Sequence, residues 1–197
     1  MSETSEEIRA TVLERFTRTA VAPDQEKMFP VGPDSAKALG YNAQEIDSLP
    51  SSVTESFCGV GNPLWLAELQ PGQTVLDLGS GAGLDCVLAA RSVGPTGEVI
   101  GVDMTEAMIA KARCNADTLD LENVQFVPCR IEELALEDES IDVAISNGVF
   151  NLCPDKTEVL KEVCRVLRPG GCLQMADILL HEDVTLEEVA EKGTWSD

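Results

Sequence analysis

From residue 74 onward, short apolar segments alternate with amphipathic segments of helical length, and this alternation restricts the possible folds. Buried strands are predicted over residues 74–78, 99–102, 124–127, 141–146 and 172–179, and helices over residues 84–93, 106–117 and 156–167. Strands that are joined by helices of this length pair in parallel, because a parallel pair needs a long crossover connection. The sequence therefore predicts an α/β fold with a doubly wound, mainly parallel sheet.

The first 63 residues follow a different pattern. Apolar side chains at helical spacing predict an amphipathic helix over residues 3–20. Prolines and glycines interrupt residues 21–63, where only short helices are expected, near residues 34–39 and 43–48. A long stretch with little regular structure is typical of a lid, so we interpret it as a cap over a site. We expect an N-terminal helix and cap over residues 1–63 and a ligand-binding domain over residues 64–197.

Composition excludes several classes of partner. The chain has 14 Lys and Arg against 35 Asp and Glu, and its formal charge of −21 would repel nucleic acid and anionic membranes. No apolar run reaches the length of about 20 residues that a membrane span needs, and the acidic start has no secretory pattern. Seven cysteines without such a signal indicate reduced thiols and a cytoplasmic location. With His181 as the single histidine and no CxxC spacing, no metal site is predicted.

The turn after the first predicted strand carries the pattern Asp77-x-Gly79-x-Gly81-x-Gly83. Ligands of open α/β sheets bind at the carboxyl ends of the strands, and glycines let backbone N–H groups approach a ligand. An acidic loop suits a cationic ligand better than a pyrophosphate. Asp103 closes the second strand and can accept both hydroxyls of a ribose. Two plainer interpretations stay open: glycine favours any tight turn, and Asp103 supplies negative charge to the following helix.

Four motifs, in order along the chain, resemble those of class I S-adenosylmethionine-dependent methyltransferases. They are VLDLGSGAG at 75–83, GVDM at 101–104, DVAISN at 142–147 and VLRPGG at 166–171. The resemblance implies S-adenosylmethionine as cofactor, bound to a Rossmann-like sheet. The residues that it implies are, for the methionine part, Asp77, Gly79, Ser80, Gly81 and Gly83; for the ribose, Asp103; for the adenine, Met104, Ile131 and Glu132; and beside the sulfonium, Asn147.

A narrower resemblance, to arsenite methyltransferases, rests on further segments. They are SFCGVGNP at 56–63, GLDC at 83–86, DMT at 103–105, SNGVFNLCPDK at 146–156 and KGTW at 192–195. Members of that family hold As(III), a soft metalloid, on cysteine thiolates, and its lone pair attacks the sulfonium methyl group. The resemblance therefore implies a metalloid substrate, As(III), either alone or as a thiol conjugate.

Two cysteines are candidate catalytic residues by this resemblance. Cys58 matches the cysteine in the family's cap, and its glycine- and proline-rich surroundings predict an accessible, reactive thiol. Most members carry a second catalytic cysteine where this chain has Gly148. Cys153 either takes its place or only packs beside Pro154, and the sequence leaves both interpretations open.

The family's third cysteine falls shortly after Trp195, and its members have two more strands and a further domain. The resemblance thus implies a C-terminally truncated domain, in which residues 173–179 form an apolar sheet edge open to self-association. Three other functions stay open: a methyltransferase for a small organic substrate, a nicotinamide-dependent dehydrogenase, and a non-catalytic remnant that binds S-adenosylmethionine. Cys86, Cys114 and Cys164 are predicted to be small buried side chains on helices.

Overall fold

The computed structural model describes residues 4–179, which form a five-stranded sheet flanked by helices. The strands are β1 (Thr74–Leu78), β2 (Glu98–Asp103), β3 (Val124–Pro128), β4 (Ile141–Asn147) and β5 (Leu167–Ala176). Their order is β3-β2-β1-β4-β5, and all neighbouring pairs are parallel. Because strand order reverses between β1 and β4, the sheet is doubly wound and Rossmann-like, which confirms the predicted fold class.

Seven α-helices lie within the described residues. They are α1 (Ser5–Val21), α2 (Pro33–Ala38), α3 (Ala43–Ser48), α4 (Ser51–Thr54), α5 (Leu84–Val93), α6 (Glu106–Thr118) and α7 (Lys156–Val166). Short 3₁₀ turns cover Pro23–Gln25, Pro63–Trp65 and Phe150–Leu152. A capping box starts α1, where Thr4 Oγ1 accepts from the Glu7 N–H and the Thr4 N–H donates to Glu7 Oε2. The predicted helices are confirmed to within two residues, and the short α4 was not predicted.

The central strands β1, β2 and β4 are largely buried on both faces, because helices cover each face of the sheet, whereas β3 and β5 are more exposed. Val75 of β1 packs in a core with residues of α5 and α6, whereas its neighbour Leu76 packs in a second core with Val159 and Val163 of α7. Successive side chains of a strand point to opposite faces, so a strand covered on both sides needs apolar residues at every position. This explains why the central strands are mostly apolar.

The boundaries predicted for the last strand are wrong. β5 begins at Leu167 rather than 172, and the Pro169–Gly170–Gly171 segment, which was expected to separate helix from strand, lies inside it. The register explains this, since Ile141 pairs with Leu167 while Val143 pairs with Cys172, so that β5 carries extra residues in an irregularity. The strand ends at Ala176, and β5 is an edge of the sheet within the described residues.

The cap segment shares a hydrophobic core with α5. Ala36, Tyr41, Ile46, Val53 and Phe57 of the cap pack with Leu84, Val87 and Leu88 of α5. The predicted division between residues 63 and 64 therefore falls at the 3₁₀ turn Pro63–Trp65, between segments that pack against one another.

Three further predictions concern the burial of cysteines, membrane-spanning segments and the C-terminal residues. Cys86 is buried as predicted, but Cys114 and Cys164 are exposed, because they lie on the solvent faces of α6 and α7. No helix within residues 4–179 is long and apolar enough to cross a membrane. His181 and the KGTW segment with Trp195 lie outside the described residues.

Candidate functional site

A cleft opens at the carboxyl ends of β1, β2 and β4. Its mainly apolar lining with a few polar groups is typical of sites for small molecules. The predicted site residues that line it are Cys58, Gly79, Gly81, Asp103, Met104, Ile131, Glu132, Asn147 and Cys153. Helix α1 covers one side with Arg9, Val12 and Phe16, a role that the sequence did not reveal. The apolar face of α1 predicted only that the helix packs against the rest of the protein. A local sequence pattern does not distinguish a face that packs in a core from one that lines a ligand cleft.

The glycine loop after β1 forms the floor of the cleft. Gly81 has a φ of +52°, and a Cβ placed there would meet no other atom within 4 Å, so open space lies directly above the backbone. Gly83 has a φ of +91°, and its Cβ would lie 2.9 Å from the Phe126 ring. The first position leaves room for a ligand and the second lets helix α5 pack closely against the sheet.

The Asp103 carboxylate accepts hydrogen bonds from backbone groups of two loops beside the cleft. Its Oδ2 accepts from the Gly81 N–H at 3.0 Å and its Oδ1 accepts from the Thr105 N–H at 2.8 Å. Burial raises the pKa of the Asp103 carboxyl, and these two backbone hydrogen bonds act in the opposite direction. Thr105 is the N-cap residue of α6, but its side chain makes no capping hydrogen bond. The carboxylate is therefore held at the end of β2 with lone pairs still free for a ligand.

Asp77 lies in a second, smaller cavity rather than in the larger cleft. This cavity lies between the glycine loop and the cap, and is also lined by Ser80 and Asp85. Asp77 is 2% exposed, and its Oδ2 accepts from the Cys86 thiol at 3.1 Å. Burial, and next the charge of Asp85, raise the pKa of Asp77 well above its usual range. Ser80 Oγ is buried and has no hydrogen-bond partner among the described residues.

Asn147 joins the cap to the sheet. Its Oδ1 accepts from the backbone N–H groups of Val60 at 2.9 Å and Gly61 at 3.1 Å. Its Nδ2 donates to the Gly61 carbonyl at 2.9 Å, to the Tyr41 hydroxyl at 3.0 Å and to Asp85 Oδ2 at 3.2 Å. Asn147 lines the cleft as predicted, but its amide is fully used in holding the cap. The sequence offered no signal for this clamp, whose partners are up to 106 residues apart.

Met104, Ile131 and Glu132, for which the family resemblance implied contact with adenine, lie together in the cleft. Ile131 is buried and belongs to the core beneath, whereas Met104 is half-buried. Glu132 Oε1 accepts from Arg9 Nη2 of α1 at 3.1 Å, an ion pair that fastens α1 over this part of the cleft.

The two candidate cysteines differ in their surroundings. Cys58 is half-buried in the cap, and burial, followed by the charge of Asp103, raises the pKa of its thiol to about 12. The sequence predicted an accessible, reactive thiol at Cys58; in this conformation the side chain is partly accessible and its protonated form is favoured. Cys153 is buried and its Sγ donates to the Val149 carbonyl at 3.3 Å. Burial, followed by the charge of Glu132, raises the pKa of Cys153 to about 12.

Position 148 lies against the cap. A Cβ added to Gly148, which has a φ of +71°, would lie 3.1 Å from Val60 Cγ1. Cys153 packs in the core with Phe150 and Ile131, which favours the packing interpretation over replacement of the missing thiol. No group of three His, Cys, Asp or Glu within residues 4–179 is placed to hold a metal ion.

Comparison with known proteins defines the class. Residues 69–196 match the family described as "Methyltransferase domain", and residues 5–130 match the family described as "Protein-L-isoaspartate(D-aspartate) O-methyltransferase (PCMT)". The chain belongs to the class I S-adenosylmethionine-dependent methyltransferases, and S-adenosylmethionine is the cofactor of that class.

Within this class, the chain is similar to proteins named arsenite methyltransferase. One from Halobacterium salinarum is 50% identical over 144 residues, which are 73% of this chain and 37% of the relative. One from Mus musculus is 36% identical over 166 residues, 80% of this chain and 44% of the relative. The crystal structure of CrArsM, an arsenic (III) S-adenosylmethionine methyltransferase from Chlamydomonas reinhardtii, is 40% identical with a TM-score of 0.63, and covers 77% of this chain and 50% of that one. The chain spans less than half the length of these two curated relatives.

The cleft and the smaller cavity fit S-adenosylmethionine. The buried, unpartnered Ser80 Oγ and the two carboxyl groups of the smaller cavity suit the ammonium of an amino acid. Open space above Gly81 leaves room beside Asp103, whose free lone pairs suit ribose hydroxyls. The thioether of Met104 and the side chain of Ile131 provide an apolar surface for a base. The donor types present therefore match the three parts of the cofactor.

Proposed function

We propose that this chain is a methyltransferase domain that transfers the methyl group of S-adenosylmethionine to As(III) held by cysteine sulfur. One observation carries the proposal: Cys58 lies on the wall shared by the large cleft and the smaller acidic cavity. A metalloid bound there faces the junction between the cofactor's amino acid part and its nucleoside. Similarity to arsenite methyltransferases supports this choice of substrate.

A protonated thiol at Cys58 is compatible with this chemistry. As(III) is present in neutral water as uncharged arsenious acid, and a thiol displaces one hydroxyl group from it. The sulfur–arsenic bond forms, the arsenic–oxygen bond breaks, and the thiol proton leaves with the hydroxyl as water. Because no net proton is released, the raised pKa of Cys58 does not oppose binding. Soft sulfur is also the ligand that a soft metalloid prefers.

The chain's own residues position the acceptor and exclude water. Asn147 holds Val60 and Gly61 of the cap at the carboxyl end of β4, so that the cap covers the reaction site. Bound S-adenosylmethionine supplies an electrophilic methyl group on a sulfonium. The arsenic lone pair forms a bond to the methyl carbon, the carbon–sulfur bond breaks, and positive charge passes from sulfur to arsenic. Such a displacement depends mainly on positioning and desolvation.

The surroundings of Cys153 and Gly148 bear on the form of the substrate. Cys153 is buried and engaged with the Val149 carbonyl, and the side chain next to Gly148 is that of Val60. Cys58 is thus the better placed thiol, and a trivalent arsenic bound to it needs two further ligands. We propose that small-molecule thiols supply them, so that the substrate is a thiol conjugate of As(III).

A binding and turnover experiment tests the proposal. Calorimetry with a dithiol-free As(III) solution, followed by a methylation assay with S-adenosylmethionine and glutathione, compares Cys58→Ser with two other variants. Cys153→Ser tests the second candidate thiol, and Cys114→Ser, at an exposed site on α6, is the matched control. We expect loss of As(III) binding and methylation only in Cys58→Ser. Equal As(III) binding in all variants would contradict the proposal and favour a small organic acceptor.

Two secondary expectations accompany the proposal. All seven cysteines are free, as a reducing compartment such as the cytoplasm would keep them. Strand β5 is an edge of the described sheet, and Ile178 and Leu179 just beyond it are exposed, 47% and 90% respectively. We therefore expect self-association through this edge, measured as a concentration-dependent sedimentation coefficient.

A further inference from the structure

The smaller cavity between the glycine loop and the cap contains two carboxyl groups and no opposing base. Asp77 and Asp85 both line it, and none of the described residues that line it is basic. The titratable groups that face the pair are Tyr41 and Cys58 from the cap, Cys86 from α5 and Asp103 from β2. Buried carboxylates without a cation are costly, and one way to lower that cost is to retain a proton.

The hydrogen bonds indicate which carboxyl group holds this proton. Asp85 accepts from the Tyr41 hydroxyl at 2.5 Å and from Asn147 Nδ2 at 3.2 Å, so each of its oxygens has a donor. Among the described residues, the side chain that donates to Asp77 is the Cys86 thiol, a weak donor, at 3.1 Å. The ionised form is therefore better supported at Asp85 than at Asp77. Burial and the charge of Asp85 raise the pKa of Asp77 in the same direction.

Ser80 provides an independent indication that a ligand occupies the cavity. Its Oγ is buried and has no partner among the described residues, while the residue as a whole is 8% exposed. A buried hydroxyl without a partner is costly unless a ligand completes its hydrogen bonds. A cationic ligand suits the cavity, because the described residues that line it include two acids and no base.

We propose that binding of the cofactor's amino acid part to this cavity releases the proton of Asp77 to solvent. The inference rests on the cofactor placement of the proposed function. In the free protein the proton neutralises the Asp77–Asp85 pair; when an ammonium enters, its positive charge takes over that role and the Asp77 O–H bond ionises. The proton goes to bulk water, so one proton leaves for each cofactor bound. Affinity for the cofactor then rises about tenfold per pH unit below the pKa of the pair.

Calorimetry in buffers of different ionisation enthalpy measures the proton directly. For the unmodified chain, we expect proton release with S-adenosylmethionine and with S-adenosylhomocysteine that reaches about one proton at its maximum between about pH 5 and 8, since both carry the ammonium. 5′-Methylthioadenosine, which lacks the amino acid part, should release none. Binding of S-adenosylmethionine without proton release would overturn this inference and leave the proposed function standing. Absence of any binding would overturn both.

Variants locate the proton. Asp77→Asn should bind S-adenosylmethionine more weakly and, at saturating concentrations, without proton release, whereas Asp117→Asn, at an exposed carboxyl near the end of α6, should release as many protons as the unmodified chain. Difference infrared spectroscopy of the unmodified chain gives a second readout that does not require a folded variant. A protonated-carboxyl band should disappear when S-adenosylmethionine binds, and a band that persists would contradict the assignment.

Discussion

Replacing Asn147 with Ala should open the cap and expose Cys58. The change removes the acceptor of two backbone N–H groups, those of Val60 and Gly61, and one of the two donors to Asp85. An unsatisfied buried polar group costs about 1–3 kcal/mol, and these groups are only partly buried, so we expect a loss of about 2–4 kcal/mol. Most of this lost free energy destabilises the closed cap relative to the open cap, because these hydrogen bonds join the cap to β4.

The assay is the rate at which a thiol reagent modifies Cys58, followed by mass spectrometry. If modification requires cap opening, a loss of at least 2 kcal/mol accelerates it roughly 30-fold or more. Asn123→Ala is the matched control, because it also removes an amide that bonds to backbone groups, the carbonyls of Ala90 and Gly94, away from the cap. An unchanged rate at Cys58 in Asn147→Ala, or the same acceleration in Asn123→Ala, would refute the reasoning.

Three further predictions concern the cofactor, pH and salt. Asp103→Ala should weaken S-adenosylmethionine binding by about 1.5–3 kcal/mol, since a charged acceptor is lost, and calorimetry that shows unchanged affinity would contradict the placement of the ribose. The pKa of Asp77 is raised in the folded chain, so the folded chain keeps a proton that the unfolded chain loses above about pH 4. Asp77 therefore contributes to the free energy of unfolding at low pH, and this contribution is lost as pH rises through its folded pKa. Asp77→Asn should therefore raise the melting temperature at neutral pH and flatten its decline with pH, and an unchanged thermal-melt profile would refute this. Because the formal charge is −21, added salt should raise the melting temperature by screening self-repulsion, and melts that are independent of salt would contradict it.

The sequence was sufficient for the features that depend on near neighbours. The apolar runs predicted β1 over residues 74–78 correctly and the helix Leu84–Val93 without error, because a strand buried on both faces and a helix each leave a pattern within a few residues. The glycine spacing after β1 predicted the loop below the cleft for the same reason. Asp103 was correctly placed at the end of a strand, where the parallel topology brings it beside Gly81.

Only the tertiary structure decided which groups meet across long separations. Tyr41 and Asp85 are 44 residues apart, and Asn147 reaches Val60 across 87 residues, so no local pattern could reveal the clamp between cap and sheet. The burial of a side chain likewise depends on the whole fold. The fold places Asp77 in a separate cavity, and burial raises the pKa of Cys58, although the sequence predicted both residues to be accessible to a ligand. Residue types and their spacing determined the fold and the kind of site, whereas packing determined the protonation and accessibility of its side chains.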